Sequence, residues 1–325
     1  MRAGGRRRIV PVLLAAALSA AGVGCSTSGS AGSNSIAPGA DGLLDWMVEH
    51  KQDVGLVVLV DGQERLTHRP DEHFPLASAI KVLTLVAYAE QVAAGALDED
   101  ATVTLEEVDR LYLAGTDGGA HEAARSEWGD RREVTLDQLT HAMIRYSSNV
   151  AADVMLRKVG GPPAALEAAA RHGMATQQPP VAIFELFRSW ESSNENVRDL
   201  AHATPAGTPR GWAMLMEQVR TGETFAAPAA ATVRRHLEWP MRLGDNSRLF
   251  DRFGTKGGAL PGVITEASYL ELRDGPAVSV ALFLRHLPDG IQAQLLQSYA
   301  HQELIRAFAE QPELLTDLAA RLRSP

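Results

Sequence analysis

The chain of 325 residues holds a single cysteine, Cys25. No intramolecular disulfide can form, so the core has to supply stability without covalent help. Basic residues are outnumbered: 31 Lys and Arg stand against 40 Asp and Glu, for a formal net charge of -9. An acidic chain without a basic stripe argues against nucleic acid as a partner. The 10 histidines form neither His-x-His nor His-Glu-x-x-His, so no metal site is expected, and no other cofactor. A Gly-x-Ser-x-Gly elbow is also missing, which disfavours an α/β-hydrolase. The Gly-Gly loop in "LYLAGTDGGAH" lacks phosphate-binding spacing, and no internal repeat is evident.

What is present begins with a positive leader, "MRAGGRRR", followed by the short apolar segment "IVPVLLAAALSAAGVG". Together they read as an export signal, too short for a comfortable membrane span. The segment ends at Cys25. A lone thiol in an exported protein is a liability, and "AGVGC" resembles the lipobox of bacterial lipoproteins, with Gly22 where that motif prefers Leu. The reading is a signal peptide over 1–24, a lipidated Cys25, and a Ser/Gly/Ala-rich tether over 25–42. One domain fills 43–325. A plain secretory signal with an incidental cysteine is the alternative. The paired arginines leave a twin-arginine route open beside the general one. The protein is then expected at the outer face of the cell membrane, touching it only through its lipid. Removing 1–24 takes four arginines and no acid, so the mature chain is more acidic still.

"LLDWMVEHK" predicts a short amphipathic helix, and "VGLVVLVDGQERLTHR" a hairpin turning at Asp61-Gly62. From Ser78 to about Ala96 the pattern is helical and almost wholly apolar, the mark of a helix in the middle of a domain. Residues 97–245 are mostly helical, with a break at Gly160-Gly161-Pro162-Pro163. Residues 176–208 read as a long irregular surface loop. "RFGTKGG", "ITEASYLELRDG" and "AVSVALFLRHL" predict three strands, and "IQAQLLQSYAHQELIRAFAE" one closing helix. The expected class is α+β: a five-stranded antiparallel sheet flanked by helices, with an all-helical lobe over about 76–245 inserted between its strands.

The chemistry starts at "HFPLASAIK". Ser78 and Lys81 stand three residues apart, so their side chains share a helix face. A serine hydroxyl attacks only when a base takes its proton. Lysine serves as that base only when neutral, and its ordinary pKa is about 10.4. Burial and a second cation lower it. In "RYSSN", Ser147 offers a hydroxyl that can relay a proton and Asn149 an amide that can orient a substrate or a lysine. Ser147 or Ser148 can also cap the following helix. In "GTKGGALPG", Lys256 offers a second cation on a strand whose following glycines let a substrate approach closely, or else a solvated lysine at a hairpin bend.

Ser-x-x-Lys, Ser-x-Asn and Lys-x-Gly in this order resemble the penicillin-recognising serine hydrolases, above all the class A β-lactamases. The likeness spans roughly 43–310 and includes "FPLASAIK", "MIRYSSNVAADVMLRKVGG" and "TPRGWAMLMEQVRTG". It implies a β-lactamase/transpeptidase-like fold. It also implies Ser78 as the acylated nucleophile, Lys81 as its proton acceptor and Ser147 as the shuttle to the leaving nitrogen. Asn149 would hold the substrate side chain, and Lys256 its carboxylate. Gly258 would contact the substrate, and the backbone N–H groups of Ser78 and Ala259 would form the oxyanion hole.

Three departures stand out. Ser148 replaces the family's Asp, Gly257 replaces a Thr or Ser, and the deacylating Glu-x-x-Leu-Asn string is missing. "FELFRSWESSNEN" offers Glu191, which follows Arg188, or Glu185, with Asn194 or Asn196 nearby. If neither glutamate deacylates, the chain would be a penicillin-binding acyl trap. The resemblance therefore implies a monomeric serine hydrolase of small molecules, β-lactams first. An esterase or D-alanyl-D-alanine peptidase of the same fold is the alternative. A catalytically decayed, lipid-tethered penicillin- or peptidoglycan-binding protein is the third reading. Tyr112 or Trp128 would wall the cleft or simply pack. Arg242, Arg248 and Arg252 carry no assigned role.

Overall fold

The computed structural model describes residues 39–191, 200–244 and 246–324. Cys25, the leader, most of the tether, Asn194, Asn196 and the side chain of Glu191 lie outside the described residues.

Five strands form the main sheet: β1 (Val54–Val60), β2 (Gln63–His68), β3 (Phe250–Leu260), β4 (Val263–Leu272) and β5 (Ala277–Leu284). Their order is β2-β1-β5-β4-β3, and every pairing is antiparallel. The expected sheet is therefore present, a hairpin from the front of the chain completed by three strands from its end. Asp61 and Gly62 both adopt positive φ, which matches the twist a two-residue hairpin turn needs. The inner strand β1, "VGLVVLV", reads as a continuous apolar run because both its faces are covered.

One face carries Leu56, Val58, Val280 and Leu282 against the helices Ala40–Glu49, Ala300–Glu310 and Pro312–Arg323. The other carries Val57, Leu59, Ala281 and Phe283 against the helical lobe. At the centre of that lobe, the helix Lys81–Ala93 is buried on most sides, as its near-continuous apolar sequence requires. No helix among the described residues is long and apolar enough to cross a membrane.

Two segments differ from expectation. The stretch read as an irregular loop over 176–208 contains the helix Ile183–Glu191. Its apolar residues Leu186, Phe187 and Trp190 do follow helical spacing and pack together on one side, with Arg188 and Ser189 between the last two. The closing helix is two helices, Asp289–Ser298 and Ala300–Glu310, broken where Tyr299 takes φ 56°. A third, Pro312–Arg323, follows with proline at its first position.

Gly55 in β1 shows how the sheet fixes the segment before Ser78. A Cβ there would lie 2.6 Å from the Phe74 ring and 2.7 Å from Pro209. Gly55→Val is expected to destabilise the protein by about 1–3 kcal/mol through overpacking, read as a lower denaturant midpoint. An unchanged midpoint would show that Phe74 is not held against β1.

Candidate active site

Ser78 sits in a 3-10 turn, Ala77–Ile80, and Lys81 is the first residue of the α-helix that follows. In such a turn the side chains at i and i+3 eclipse, so Ser78 and Lys81 project the same way. Ala77 pays for the entry with φ 46°, a left-handed conformation costly for a residue with a Cβ. Two hydrogen bonds hold the turn. Leu76 N donates to Pro205 O at 3.0 Å, and Thr265 Oγ1, from β4, donates to Leu76 O at 2.9 Å.

The second element is a π-helical turn, Ala142–Tyr146, ending at Ser147 with φ 64°. That left-handed residue turns both its carbonyl and its hydroxyl toward Lys81. Ser148, not Ser147, caps the next helix, Asn149–Lys158, accepting from Ala151 N. This is the work done by the serine that departs from the family pattern.

Lys81 is 2 % exposed. Its Nζ donates to Ser147 O at 2.5 Å and to Asn149 Oδ1 at 2.8 Å, and lies 3.2 Å from Ser147 Oγ. Lys256 on β3 is 4 % exposed. Its Nζ donates to Ser147 Oγ at 3.1 Å and to Gly257 O at 2.6 Å. Two buried amines thus meet on one hydroxyl. Burial, then the positive charge of Lys256, push the Lys81 amine well below the ordinary lysine range, with Asp117 and Asp153 pulling the other way. Burial lowers Lys256 to about 8, opposed by Glu266.

Gly258 is the point of closest approach between strand and turn. A Cβ there would fall 2.5 Å from Ser78 N, 2.8 Å from Thr265 Oγ1 and 2.9 Å from Ala77 Cβ. The missing side chain admits the Ser78 turn itself. Gly257, its neighbour, faces the opposite side of the sheet, where a Cβ would meet Glu266 Oε2 at 2.8 Å. Ala259, half-buried, pairs with Ile264 along the sheet's edge strand.

The expected residues are not all joined. Ser78, Lys81, Ser147, Asn149, Lys256 and Gly258 converge. Yet the bonds that seat Lys81 run to Ser147 and Asn149, and no hydrogen bond to Ser78 Oγ occurs among the described residues. Resting sites often tighten only around a substrate. Glu185 is exposed on the helix Ile183–Glu191, while Leu186, Phe187 and Trp190 pack toward Ala77, Leu260 and Val263 beside the Ser78 turn. Trp128 is core. Tyr112 gives its hydroxyl proton to Glu122. Arg252 pairs with Glu238.

Sequence reasoning missed Asp153. Its two carboxylate oxygens accept from Ile183 N at 2.7 Å and Phe184 N at 2.6 Å, tying the helix Ile183–Glu191 to the helix that carries Asn149. Burial raises its pKa against those two N–H groups and Lys81. The available signal was an acid inside "VAADVML", an apolar run that tolerates a charge only if it is paired.

A family model described as the beta-lactamase enzyme family matches residues 41–311. The chain belongs to that family. Among curated family proteins, the beta-lactamase of Bacillus licheniformis is 30% identical over 113 residues, 34% of this chain and 32% of the relative. The matched stretch thus spans about a third of the curated relative's length. Likeness in three dimensions extends further. A beta-lactamase from Sphaerobacter thermophilus is similar over 87% of this chain and 98% of its own, with a TM-score of 0.58 at 20% identity. A PBP-A variant, solved as an acyl-enzyme complex with penicillin G, covers 82% of this chain and 94% of its own at a TM-score of 0.59 and 18% identity. These likenesses show the shared β-lactamase/transpeptidase fold.

Two outcomes are expected. Asp153→Ala should cost about 1–2 kcal/mol, as loss of a helix cap does, and should speed proteolysis within 183–191. Unchanged cleavage there would mean that the cap does not hold the segment. The second concerns pH. Lys256 binds its proton less tightly in the folded chain than in the unfolded one, so between about pH 8 and 10 the unfolded state holds more protons. Stability from this group therefore rises with pH. Relative to Lys256→Met, the wild-type melting temperature should gain on alkalinisation, and a constant difference would contradict it.

Proposed function

We propose that this chain is a serine hydrolase that forms an acyl-enzyme at Ser78, with β-lactams as the leading substrate class. The observation that carries the reading is the meeting of Lys81 and Lys256 on Ser147 Oγ at 3.2 and 3.1 Å. A neutral lysine has two N–H groups and one lone pair. The carbonyl oxygens of Ser147 and Asn149 take the two N–H groups, which leaves the lone pair for a hydroxyl proton. Ser78, eclipsed with Lys81 across the 3-10 turn, supplies that proton as it attacks the substrate carbonyl. Ser147 lies between the two amines and is suited to pass a proton to the leaving nitrogen. Lys256 supplies positive charge for the substrate carboxylate. Backbone N–H groups of Ser78 and Ala259 would receive the developing oxyanion.

The pH dependence follows from the two lysines. Activity needs Lys81 neutral, so kcat/KM falls on the acid side. It also needs Lys256 charged, so KM for an anionic substrate rises above about pH 8. Ser78→Ala should remove turnover by a factor on the order of 10⁴ or more, and Lys81→Ala should slow acylation by roughly 10²–10⁴. Intact-mass spectrometry after mixing with benzylpenicillin reports acylation and release in one trace. An unmodified Ser78, together with inert p-nitrophenyl esters, would sink the proposal.

A second reading is an esterase or D-alanyl-D-alanine peptidase using the same serine. Two observations favour it. Gly257 brings no hydroxyl to the substrate and faces Glu266 on the other side of the sheet. The helix Ile183–Glu191 turns apolar residues toward the Ser78 turn and leaves Glu185 exposed. Relative kcat/KM on nitrocefin, p-nitrophenyl esters and D-Ala-D-Ala peptides separates the two. Slow release of the acyl group would mark a penicillin-binding acyl trap, and turnover abolished by Ser78→Ala would exclude a catalytically decayed binding protein. Export and lipid attachment at Cys25 belong to the same proposal, supported by the leader's arginines and apolar segment. Cys25→Ala would then move the protein from the membrane to the soluble fraction.

A further inference from the structure

Among the described residues, three charged groups act electrostatically on the Lys81 amine: Lys256 on β3, Asp153 on the helix Asn149–Lys158, and Asp117 in the loop before the helix Ala120–Trp128. The two acids differ in what else they do. Both oxygens of Asp153 are committed to backbone N–H groups. Asp117 is 5 % exposed, and only its Oδ2 is used, accepting from His121 N at 3.1 Å. Its Oδ1 is buried with no hydrogen-bond partner. Leaving a buried charged oxygen without a partner is costly.

Asp117 is also tied to the site by its neighbour. Asn149 Nδ2 donates to Thr116 O at 3.3 Å, and Asn149 Oδ1 accepts from Lys81 Nζ at 2.8 Å. Thr116 is itself fixed by a hydroxyl bond to Leu113 O at 2.7 Å. A buried carboxylate thus stands one residue along the chain from the carbonyl that holds the Asn149 amide, and that amide in turn grips the lysine.

We propose that Asp117 is a positioning residue of the acylation step: its buried carboxylate, in the loop whose Thr116 carbonyl holds Asn149, offsets the charge of Lys256 at the Lys81 amine that takes the Ser78 proton. The inference deepens the proposed hydrolase reading and rests on it. Without an opposing charge, burial and Lys256 together would leave Lys81 neutral but a weak base. A base works best with its pKa near the working pH. The carboxylate acts only through Lys81 and touches no substrate.

The chain has only four lysines, Lys51, Lys81, Lys158 and Lys256, so ¹³Cε-lysine NMR can follow Lys81 by itself, assigned through Lys81→Met. In Asp117→Asn, Lys81 is expected to titrate lower by about half a unit or more. The acid limb of benzylpenicillin acylation should move down with it, and the plateau rate should fall. Asp117→Glu should restore much of both, and Asp117→Ser serves as a second neutral variant if the amide folds poorly. Lys81 titrating at the same pH in wild type and neutral variants, or in neither within the folded range, overturns the proposal. So does a lowered melting temperature with an unmoved titration, the signature of a purely structural role. The NMR readout needs no turnover. A wild type that is never acylated, yet whose Lys81 shifts in Asp117→Asn, would reject the β-lactam reading and leave the role of Asp117 standing.

Discussion

Two ammonium groups brought together out of water are the constraint around which this structure is arranged. Each unit by which a pKa is displaced corresponds to about 1.4 kcal/mol, and both Lys81 and Lys256 are displaced downward. The fold has to absorb that cost. It does so by giving each amine its own carbonyl acceptors: Ser147 O and Asn149 Oδ1 for Lys81, Gly257 O for Lys256. The shared contact is a hydroxyl, which can donate or accept as the proton count changes. A carboxylate in that place would pin both amines in the charged form and end their usefulness as a base.

Backbone strain follows from the same requirement. Ala77 and Ser147 both adopt left-handed conformations without being glycine. Such strain persists only where the surroundings over-determine it. At Ala77 the surroundings are the hydrogen bonds of Leu76 to Pro205 and Thr265. At Ser147 they are the π-turn behind and the Ser148 cap ahead. Gly258 makes the approach of turn to strand sterically possible at all. Sheet, helix and loop therefore each contribute one surface of a small polar pocket in an otherwise apolar interior.

The parts legible from sequence were those whose signals are local. An apolar run and an Asp-Gly turn announced the hairpin, and the three later strands had clear turn boundaries. Spacing put Ser78 beside Lys81, and resemblance carried Lys256 to them. The parts that were not legible depend on partners far along the chain. The helix Ile183–Glu191 is started by Asp153, thirty residues earlier, so its own sequence shows no N-cap. Gly258 was read as room for a substrate, when the tightest neighbour is the protein's own backbone at Ser78. The break at Tyr299 has no glycine to mark it. Asp117 was invisible because a lone acid in a polar loop normally faces solvent.

The sheet is closed by the two ends of the chain: Val54 of β1 pairs with Leu284 of β5. During synthesis the β1–β2 hairpin leaves the ribosome early, while the strand that covers the inner edge of β1 comes almost last. Until then a fully apolar strand presents an open edge, the kind of surface that invites intermolecular pairing. Chains rich in such long-range contacts gain their reward only after the loop-closure entropy has been met, and they fold slowly for that reason. Pairing of β1 with β5 is thus the longest closure this sheet requires, and until it forms β2 is the one strand that covers an edge of β1.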